Sequence, residues 1–397
     1  MISTEEALRH LFALTSRLEH EDVPLSGAGG RVLARDMVAT RTQPPFAASA
    51  MDGYAVRHAD CRRGGALHLV GEAAAGQRFA GVLKSCETVR IFTGAPLPNG
   101  ADTVVIQEDT DRTSNGVILN DIPAQGSHVR PAGGDFTVGT TLPAPRLLGP
   151  SDVALAAAMN LPRLTVARRP EIAIIATGNE LVQPGEVPTE DQIIASNALG
   201  LRALFEQAGA IARVLPIARD THESLRTVLD LALPADLIVT IGGASVGDHD
   251  LVGSVADAMG LHRAFYKVAM RPGKPLMAGT LGDTPMVGLP GNPVSAMVCG
   301  HIFILPMIAA MQGLPARARP RETAQLGTDL PPNSLREHYM RATVAGGRIV
   351  PFARQDSSLL HVLSQSNALL VRPPHDPARG TGDTVEMIPL RAMTTFD

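Results

Sequence analysis

The sequence predicts a multidomain α/β protein, in which a doubly wound three-layer α/β domain is combined with a β-rich inserted domain, an elongated N-terminal linker domain and a small C-terminal β barrel. Three observations lead to this fold class. Strand-like and helix-like patterns alternate after Glu171, short β-like runs follow Gln43, and helix signals stop beyond Pro320. The 397 residues also exceed one domain of about 150 residues, so several hydrophobic cores are expected.

The N-terminal part is predicted to begin with a helix, because Ser3 and Glu6 have capping-box spacing ahead of an apolar pattern. That pattern consists of Leu8, Leu11, Phe12 and Leu18. The runs LHLVGE, TVRIFTG and TVVIQED predict strands of the β-rich domain, and a helix is predicted between Leu147 and Asn160. The stretch Arg168–Pro170 indicates a linker. We therefore expect domains at residues 1–43 with 135–168, 44–134, 169–317 and 318–397.

After the linker, strands and helices are predicted in alternation. The strand segments are EIAIIAT, ARVLPI, DLIVTIGG, RAFYKVAM and PMVGLPG. Two helices between them have apolar faces, one formed by Leu201, Leu204, Phe205 and Ala208 and the other by Leu225, Val228, Leu229 and Ala232. Asp220 and Glu223 predict the start of the second helix as a capping-box variant. This alternation predicts a parallel, doubly wound sheet that binds ligands at the carboxyl ends of its strands.

The longest apolar run, Val294–Met311, contains Gly300, His301 and Pro306. A membrane-spanning helix needs about 20 apolar residues, so we interpret this run as a buried core helix. Beyond Pro320 the segments MRATV, RIVPFA, ALLVRPP and TVEMIPL predict short strands of the barrel, without helix signals.

Composition restricts the possible functions. A net charge of -4 and a pI of about 6.3 lack the basic footprint of a nucleic-acid-binding protein. Cys61, Cys86 and Cys299 are widely spaced, so neither a disulfide framework nor a cysteine zinc site is expected. The segment MISTEEALRH has no apolar core of a secretion signal. We expect a protein of the reducing cytoplasm that binds neither nucleic acid nor membrane.

Three predicted strand ends carry polar, glycine-rich loops that are expected to share one edge of the sheet. The first, Thr177–Glu180, is either an ordinary turn or a turn in which Gly178 lets the chain place the Glu180 carboxylate at this edge. The second runs from Gly242 to Asp250 and contains Gly243, Ser245 and Gly247. Such glycines let backbone N–H groups face a phosphate. The loop matches neither G-x-G-x-x-G nor G-x-x-x-x-G-K-[ST], which disfavours both of those cofactor sites.

Asp248 and Asp250 in the second loop have two interpretations. Either they cap the following helix, or they lie beside a bound phosphate, where a bridging Mg²⁺ would offset the repulsion. In the third loop, Pro290 and Gly291 precede Asn292, the predicted N-cap, and Pro293 at the first helical position. Gly291 and Ser295 are then left as small groups at a helix start, where an oxyanion would be favoured.

A basic turn precedes the third loop. Lys267, Arg271 and Lys274 surround Pro272 and Gly273, which makes either a solvated charge cluster or an anion pocket that faces the glycine loops. The signatures H-E-x-x-H and G-x-S-x-G are missing, and the histidines lack ligand spacing. Histidine-ligated metal catalysis is therefore not expected.

Taken together, these segments resemble the molybdopterin molybdenumtransferase family, of the bacterial MoeA type, and the corresponding C-terminal region of gephyrin. The resemblance covers almost the whole chain. Its most specific segments are SAMDGYAVR, IFTGAPLPNGADTVVIQE, RPAGGDF, ATGNEL, GGASVGDHD, MRPGKP and LPGNPVSA. It implies that the α/β domain is MogA-like and binds molybdopterin. It also implies a homodimer whose cleft combines α/β loops of one subunit with the β-rich domain of the other.

The resemblance implies a transferase that inserts molybdenum from molybdate into adenylylated molybdopterin, with Mg²⁺-assisted release of AMP. The implied catalytic residues are Asp52, Thr93, Glu180, Asp220, Asp250, Lys267 and Arg271, and Glu180 and Asp250 belong to the Mg²⁺ site. The implied binding residues are Gly178, Gly242, Gly243, Ser245, Gly247, Lys274, Pro290, Gly291, Asn292, Ser295, Arg341 and Ser357. The molybdate pocket implied within this set consists of Arg271, Lys274, Ser295, Arg341 and Ser357.

The chain departs from the family pattern at two points. Many members carry lysine where this chain has Arg271, and the sequence near Ser357 leaves Ser358 as an alternative pocket residue. Two other functions are considered, a molybdopterin adenylyltransferase and a non-catalytic dimeric scaffold. The first does not need the segments SAMDGYAV and TGAPLP, and the second would not require residues such as Asp52 and Lys274. Expected protein partners are the molybdopterin adenylyltransferase and apo-molybdoenzymes.

Overall fold

The computed structural model describes residues 1–243 and 251–390, and the chain forms two compact units. The first comprises Met1–Glu21, Gly30–Ala34 and the described residues from Val166 onward, and the second comprises Asp22–Gly29 and Arg35–Thr165. The strands His20–Pro24 and Arg163–Ala167 lie where the chain passes from one unit to the other. Each unit has hydrophobic cores of its own.

The first unit contains a six-stranded sheet. Its strands are β1 (Glu171–Ala176), β2 (Ile211–Val214), β3 (Leu237–Ile241), β4 (Leu261–Tyr266), β5 (Met277–Leu281) and β6 (Thr284–Leu289). Their spatial order is β2-β1-β3-β6-β5-β4. Strands β2, β1, β3 and β6 are parallel, and Ala176, Ile241 and Leu289 end side by side. The shared edge predicted for the three loops is therefore confirmed.

The expectation of a wholly parallel sheet is wrong for β5. This strand runs antiparallel to both β6 and β4, and Gly282 and Asp283 join it directly to β6. Gly282 has a φ of 59°, a left-handed conformation that suits a tight hairpin turn. The sequence MAGTL contains no valine or isoleucine, so its pattern does not predict a strand.

Helices cover both faces of the sheet, as predicted for a doubly wound domain. They are α1 (Asn197–Gln207), α2 (His222–Ala232), α3 (Leu251–Ala258), α4 (Pro293–Cys299) and α5 (Leu305–Met311). Leu201, Leu204 and Phe205 pack in one core with Ile172 and Ile174 of β1. The predicted face of α2, formed by Leu225, Val228, Leu229 and Ala232, packs in the opposite core with Ala173 and Ile175. Alternate residues of β1 thus enter opposite cores, as strand geometry requires.

Two other helices that the sequence predicts are present in the first unit. The N-terminal helix spans Thr4–Ala13, and the Ser3 side chain accepts a hydrogen bond from the Glu6 backbone N–H at 3.0 Å. The apolar run forms a continuous helical segment, with a π-helical turn at Gly300–Ile304 between α4 and α5. By length and composition, Pro293–Met311 could cross a membrane, but 78% of its 18-residue apolar window is buried. This supports its interpretation as a core helix.

The C-terminal part of the first unit is a small β barrel. Its strands are Met270–Arg271, Glu322–Leu326, Glu337–Ala345, Arg348–Pro351, Ala368–Arg372 and Thr384–Pro389. The sheet closes because Glu337–Ala345 pairs with Ala368–Arg372 as well as with its other neighbours. One expectation is wrong, because a short helix α6 (Leu360–Gln365) interrupts the strands. Its six residues have no side-chain N-cap, so the usual start signal is absent.

The second unit is rich in short strands. Its main sheet contains Gly53–Val56, Ala66–Ala73, Glu87–Ile91, Thr103–Ile106, Thr110–Arg112 and Gly116–Leu119. The three strands predicted from sequence are among them. Smaller strand pairs join Ala48–Ser49 to Val129–Arg130 and Met37–Val38 to Thr141–Leu142. The predicted alanine-rich helix spans Pro150–Ala158, and its first turn is capped by Asp152, which accepts a hydrogen bond from the Gly149 N–H.

Candidate functional site

The carboxyl edge of the α/β sheet forms an open cavity of about 910 Å³. The loops that follow β1, β3 and β6 contribute Thr177, Gly178, Glu180, Gly242, Gly243, Pro290, Gly291 and Asn292 to its lining. Other lining residues include Leu181, Ile193, Ile194, Ser196, Asn197, Asp220, Pro275 and Ser358. The cavity thus lies where open α/β sheets bind their ligands.

The first loop places a carboxylate directly over a glycine. Gly178 is buried and has a φ of 148°, and a Cβ atom built on it would lie 2.7 Å from both Cδ and Oε1 of Glu180. Any side chain at position 178 would therefore displace the Glu180 carboxylate.

Asn197, at the start of α1, donates from Nδ2 to the Gly291 carbonyl oxygen at 2.7 Å. This bond ties the third loop to the wall of the cavity.

The first residue of the second loop, Gly242, passes close to both neighbouring loops. Gly242 and Gly243 have left-handed φ values of 91° and 65°. A Cβ on Gly242 would lie 3.0 Å from the carbonyl oxygen of Thr177, and a Cβ on Gly291 would lie 3.5 Å from the Gly242 Cα. The left-handed φ and the 3.0 Å approach at Gly242 favour glycine there, whereas the approach of Gly291 is an ordinary van der Waals contact. The predicted site residues Ser245, Gly247 and Asp250, together with Asp248, lie outside the described residues.

The third loop enters α4 with Pro293 at the first helical position, as predicted. Asn292 is the N-cap residue, as predicted, although its side chain accepts no capping hydrogen bond from the described helix. Instead, Nδ2 of Asn292 donates to Oγ of Ser357 at 3.1 Å. Ser295 is buried in the first turn of α4. The loop is thereby connected to the segment at residues 355–358.

Asp220 lies in the cavity and does not cap α2. The N-cap is Thr221, whose side chain accepts a hydrogen bond from the Ser224 N–H at 3.2 Å, so the predicted Asp220–Glu223 box is wrong. Asp220 instead exchanges hydrogen bonds with Asn179. Glu180 and Asp220 therefore both bring carboxylates to one cavity. Within residues 1–243 and 251–390, no group of three or more His, Cys, Asp or Glu side chains could hold a metal ion.

The basic turn belongs structurally to the barrel. Met270 and Arg271 form a strand that pairs with Glu337 and His338. Lys267 has a φ of 69°, and its Nζ lies 5.4 Å from the centre of the Tyr266 ring. Arg271 and Lys274 are exposed, and of the described residues that line the cavity only Pro275 comes from this turn.

A second group of polar residues surrounds Arg341. Its guanidinium is fully buried, and among the described residues neither Nε nor Nη1 has a hydrogen-bond partner. Nη2 donates to the carbonyl oxygen of Asp356 at 2.9 Å. Burial, and then repulsion by Arg271, lowers the pKa of Arg341 to about 10. A buried cation with unused donors is costly unless an anion binds there.

His338 adds to this positive environment. It is buried, and its Nε2 also lacks a hydrogen-bond partner among the described residues. Burial lowers its pKa to about 4, assisted by the charges of Arg271, Arg341, Arg372 and Arg336. The imidazole is therefore neutral at pH 7. Sequence reasoning missed His338, because its position beside Arg271 depends on the strand pairing between the basic turn and the barrel.

Residues 356–358 connect the loops of the cavity to the residues around Arg341. Ser357 accepts the Asn292 hydrogen bond, and its carbonyl oxygen accepts the Val294 N–H at 3.0 Å. Ser358 lines the cavity and donates from both its backbone N–H and its Oγ to Asp356. Ser357 thus contacts the third loop, whereas Ser358 faces the cavity. Both serines remain candidates for an anion contact.

Asp52 and Thr93 lie in the second compact unit. Oδ1 of Asp52 accepts hydrogen bonds from both the backbone N–H and the Oγ of Thr93, each at 2.7 Å. These two bonds lower the pKa of the Asp52 carboxyl, with a smaller contribution from Arg90. The Arg90 guanidinium lies between the rings of Tyr54 and Phe92, 4.9 and 5.0 Å from their centres. Asp52 is therefore a fixed, ionised carboxylate.

Comparison with known proteins places the chain among relatives along its whole length. Family models match residues 2–160 (MoeA N-terminal region, domain I and II), 173–310 (probable molybdopterin binding domain) and 323–390 (MoeA C-terminal region, domain IV). Molybdopterin molybdenumtransferase 2 of Mycobacterium tuberculosis (strain ATCC 25618 / H37Rv) is 36% identical over 386 residues, covering 93% of this chain and 95% of that protein. The chain belongs to the molybdopterin molybdenumtransferase (MoeA) family.

Two further similarities agree with this assignment. The molybdopterin molybdenumtransferase of Nostoc sp. (strain PCC 7120) is 34% identical over 403 residues, covering 95% of this chain and 90% of that protein. The crystal structure of the molybdopterin biosynthesis moeA protein from Pyrococcus horikoshii OT3 aligns with a TM-score of 0.86 and 26% identity, over 98% of this chain and 100% of that one. All three cavity loops fall within the match to the probable molybdopterin binding domain at residues 173–310.

Proposed function

We propose that this protein inserts molybdenum from molybdate into adenylylated molybdopterin and releases AMP, giving the molybdenum cofactor. The observation that carries the proposal is the buried Arg341 guanidinium, whose Nε and Nη1 have no hydrogen-bond partner within the described part of the chain, in the same compact unit as a glycine-lined cavity. The Arg341 guanidinium suits an oxyanion, and the glycine-lined cavity suits a phosphorylated ligand. Molybdate and the adenylylated molybdopterin supply both chemistries.

In this proposal, Arg341 is the centre of the molybdate pocket. Molybdate is a tetrahedral dianion, and guanidinium, ammonium and hydroxyl groups are suitable donors for it. Arg271, Lys274, Ser295 and Ser357 complete the proposed pocket, and Lys267 adds positive charge nearby. The fully buried position of Arg341 means that a bound anion there would interact through a low local dielectric.

The glycine-lined cavity would bind the phosphate-bearing substrate. Its proposed contacts come from Gly178, Gly242, Gly243, Pro290, Gly291 and Asn292, with Ser245 and Gly247 from the second loop. The dithiolene sulfurs of molybdopterin are strong metal ligands by themselves. The protein therefore needs mainly to orient two substrates and to stabilise the phosphate charge of the leaving group.

Mg²⁺ is commonly bound by one or two carboxylates together with substrate phosphates, and the described lining of this cavity offers two carboxylates, those of Glu180 and Asp220. Glu180 and Asp250 would hold it, and the Asp220 carboxylate lies in the same cavity as Glu180. When bound, Mg²⁺ would reduce the negative charge of the phosphates during AMP release.

We further propose a homodimer in which Asp52 and Thr93 of the partner subunit complete each active site. Residues 1–43 with 135–168 would form the dimerisation domain, 44–134 the inserted domain, 169–317 the molybdopterin-binding domain and 318–397 the barrel. The proposed location is the cytoplasm. Proposed protein partners are a molybdopterin adenylyltransferase and apo-molybdoenzymes, and the family matches at both ends of the chain disfavour an adenylyltransferase function for this protein.

Reconstitution tests the function. Purified protein with adenylylated molybdopterin, Mg²⁺ and molybdate is expected to activate a cofactor-free molybdoenzyme, and omission of molybdate is expected to abolish activation. Activation that does not depend on added protein would contradict the proposal.

Mixing inactive Asp52→Ala and Arg341→Met subunits tests the shared site. Mixed dimers are expected to regain about a quarter to a half of the activity, because one of their two sites has neither substitution; no recovery in verified mixed dimers would contradict it.

A further inference from the structure

Arg219 holds the first cavity loop by an unusual set of hydrogen bonds. Its Nη1 donates to the carbonyl oxygens of Gly178, Asn179 and Leu181, at 3.3, 3.2 and 2.9 Å, and one of its two N–H groups is shared between two of these oxygens. A guanidinium offers planar, fixed donors, so one side chain can gather several carbonyl groups. Three of the four residues from 178 to 181 therefore direct their carbonyl oxygens toward Arg219. The exception is Glu180.

The same segment also fixes the second cavity carboxylate. The Asp220 N–H donates to Asn179 Oδ1 at 3.1 Å, and the Asn179 N–H donates to Asp220 Oδ2 at 3.3 Å. The Arg219 N–H donates to Oγ of Ser224 in the first turn of α2 at 2.9 Å. Loop 178–181 and residues 219–220 thus form one hydrogen-bonded unit. This unit carries both Glu180 and Asp220.

Arg219 itself is absent from the described residues that line the cavity, whereas Glu180 and Asp220 are present. Its guanidinium holds the loop from the side of the backbone carbonyls. The Glu180 carboxylate folds over the α-carbon of Gly178, where a Cβ would meet it. The orientation of this carboxylate therefore depends on a loop shape that the Arg219 bonds maintain.

We propose that Arg219 is a positioning residue, which fixes Glu180 and Asp220 for binding of a divalent cation in the cavity. The inference rests on the proposed function, since that function assigns the cation to this site. Residues that orient metal ligands from behind typically change metal affinity by about 10- to 100-fold when they are replaced. Arg219 is placed to act in this way without touching the substrate.

Binding of Mn²⁺, measured by electron paramagnetic resonance on the full-length protein without substrate, tests the inference directly. Arg219→Gln is expected to weaken Mn²⁺ binding by about tenfold or more. Arg219→Lys, which keeps a cationic donor but loses the planar geometry, is expected to lie between Gln and the wild type. Arg226→Gln, on the exposed side of α2, is the matched control and is expected to bind Mn²⁺ like the wild type.

A double-substitution cycle separates positioning from a general structural role. In a Glu180→Gln background, Arg219→Gln is expected to cost less Mn²⁺ affinity than it costs in the wild type, because one of the two carboxylates that it positions is already altered. Molybdate binding is expected to remain within about twofold in all folded variants, since Arg219 forms no bond to the Arg341 group. Additive losses, or Mn²⁺ affinity within about twofold of the wild type in folded Arg219→Gln, would overturn the inference.

The test also distinguishes this inference from the proposed function. If Arg219→Gln binds Mn²⁺ more weakly than the wild type, and the wild type releases no AMP, the positioning role is supported and the proposed function is contradicted. Molybdate-dependent AMP release by a wild-type protein that binds no Mn²⁺ in the cavity would support the function and overturn the positioning role.

Discussion

Arg341 contacts Asp356 through a single hydrogen bond, from Nη2 to the backbone carbonyl oxygen at 2.9 Å, while its Nε and Nη1 have no partner among the described residues. Buried arginines elsewhere in this unit are paired. Arg31 donates to the carboxylate of Glu21 and to the Ala167 carbonyl, and Arg372 pairs with Asp376. Among the described residues, Arg341 therefore differs from these arginines in forming no hydrogen bond to a carboxylate, and an incoming oxyanion would supply an acceptor for Nε and Nη1.

The first prediction concerns Arg341→Met. The substitution removes a buried charge that forms no hydrogen bond to a carboxylate of the described residues, so thermal stability is expected to be unchanged or higher. Molybdate affinity is expected to fall by at least about tenfold, because hydrogen bonds to a charged group are lost. Calorimetric titration with molybdate and thermal unfolding measure the two effects. Arg372→Met is the control: it leaves the buried Asp376 carboxylate short of a partner and is expected to destabilise the protein by about 3 kcal/mol, with molybdate affinity retained.

The second prediction concerns the Asp52 carboxylate. Thr93→Val removes the hydroxyl donor but keeps the backbone donor, whereas Thr93→Ser keeps both. The rate of AMP release is expected to fall roughly fivefold in Thr93→Val and to stay near the wild-type rate in Thr93→Ser. The pKa of Asp52, followed by NMR, is expected to rise only in the valine variant, because a hydrogen bond to the charged form is lost. Equal rates in the two variants would contradict a role for the hydroxyl.

The third prediction compares two left-handed glycines. Gly242 has a φ of 91° and little space, since a Cβ there would lie 3.0 Å from the Thr177 carbonyl oxygen. Gly185 has a φ of 97° but nothing within 4 Å of a Cβ. Gly185→Ala is expected to cost about 1 kcal/mol of unfolding free energy, and Gly242→Ala about 2 to 4 kcal/mol. Urea denaturation measures the difference, and equal costs would contradict close packing at Gly242.

The fourth prediction is a pH dependence of stability. Burial lowers the pKa of His301 to about 3 and that of His338 to about 4, with repulsion by arginine charges as the second cause. Between the ordinary histidine pKa of about 6.5 and these values, the unfolded chain binds protons that the folded protein does not. Stability is therefore expected to fall as the pH falls below about 6.5, by up to about 1.4 kcal/mol per pH unit for each histidine.

Substitution of one of these histidines tests the sign and the cause. The unfolding free energy is expected to fall between pH 6.5 and pH 5, just below the ordinary histidine pKa of about 6.5. In His338→Gln the slope of this fall is expected to be smaller by the equivalent of about one proton taken up on unfolding. His262→Gln, at an exposed position on β4, is expected to leave the slope unchanged. Equal slopes in His338→Gln and the wild type would contradict a neutral, buried His338.

The sequence predicted the frame of the fold because its parallel strands are apolar runs and its helices have one apolar face. Strand β5 and helix α6 were not predicted, for two different reasons. β5 has weak β propensity and is held by pairing with β4 and β6, and α6 is too short to show periodicity. At the start of α2, both Asp220 and Thr221 are residue types that cap helices. Thr221 is the N-cap in the structure, because it adopts the extended conformation that capping requires.

The candidate site was predictable where function depends on local sequence, as in the glycines after β1, β3 and β6. It was not predictable where function depends on long-range contacts. The Arg219 bonds to residues 178–181, the Asn197 bond to Gly291 and the pairing of Arg271 with His338 each join distant parts of the chain. No local pattern marks these side chains, so only the folded structure brings them together.

Molybdate-dependent release of AMP tests the central claim most directly. Purified protein is incubated with adenylylated molybdopterin and Mg²⁺, with and without molybdate, and AMP is quantified by chromatography. The proposed function predicts that AMP appears with molybdate, that little appears without it, and that Arg341→Met releases little in either case. AMP release at the same rate without molybdate, or no release by the wild-type protein with all components present, would contradict it.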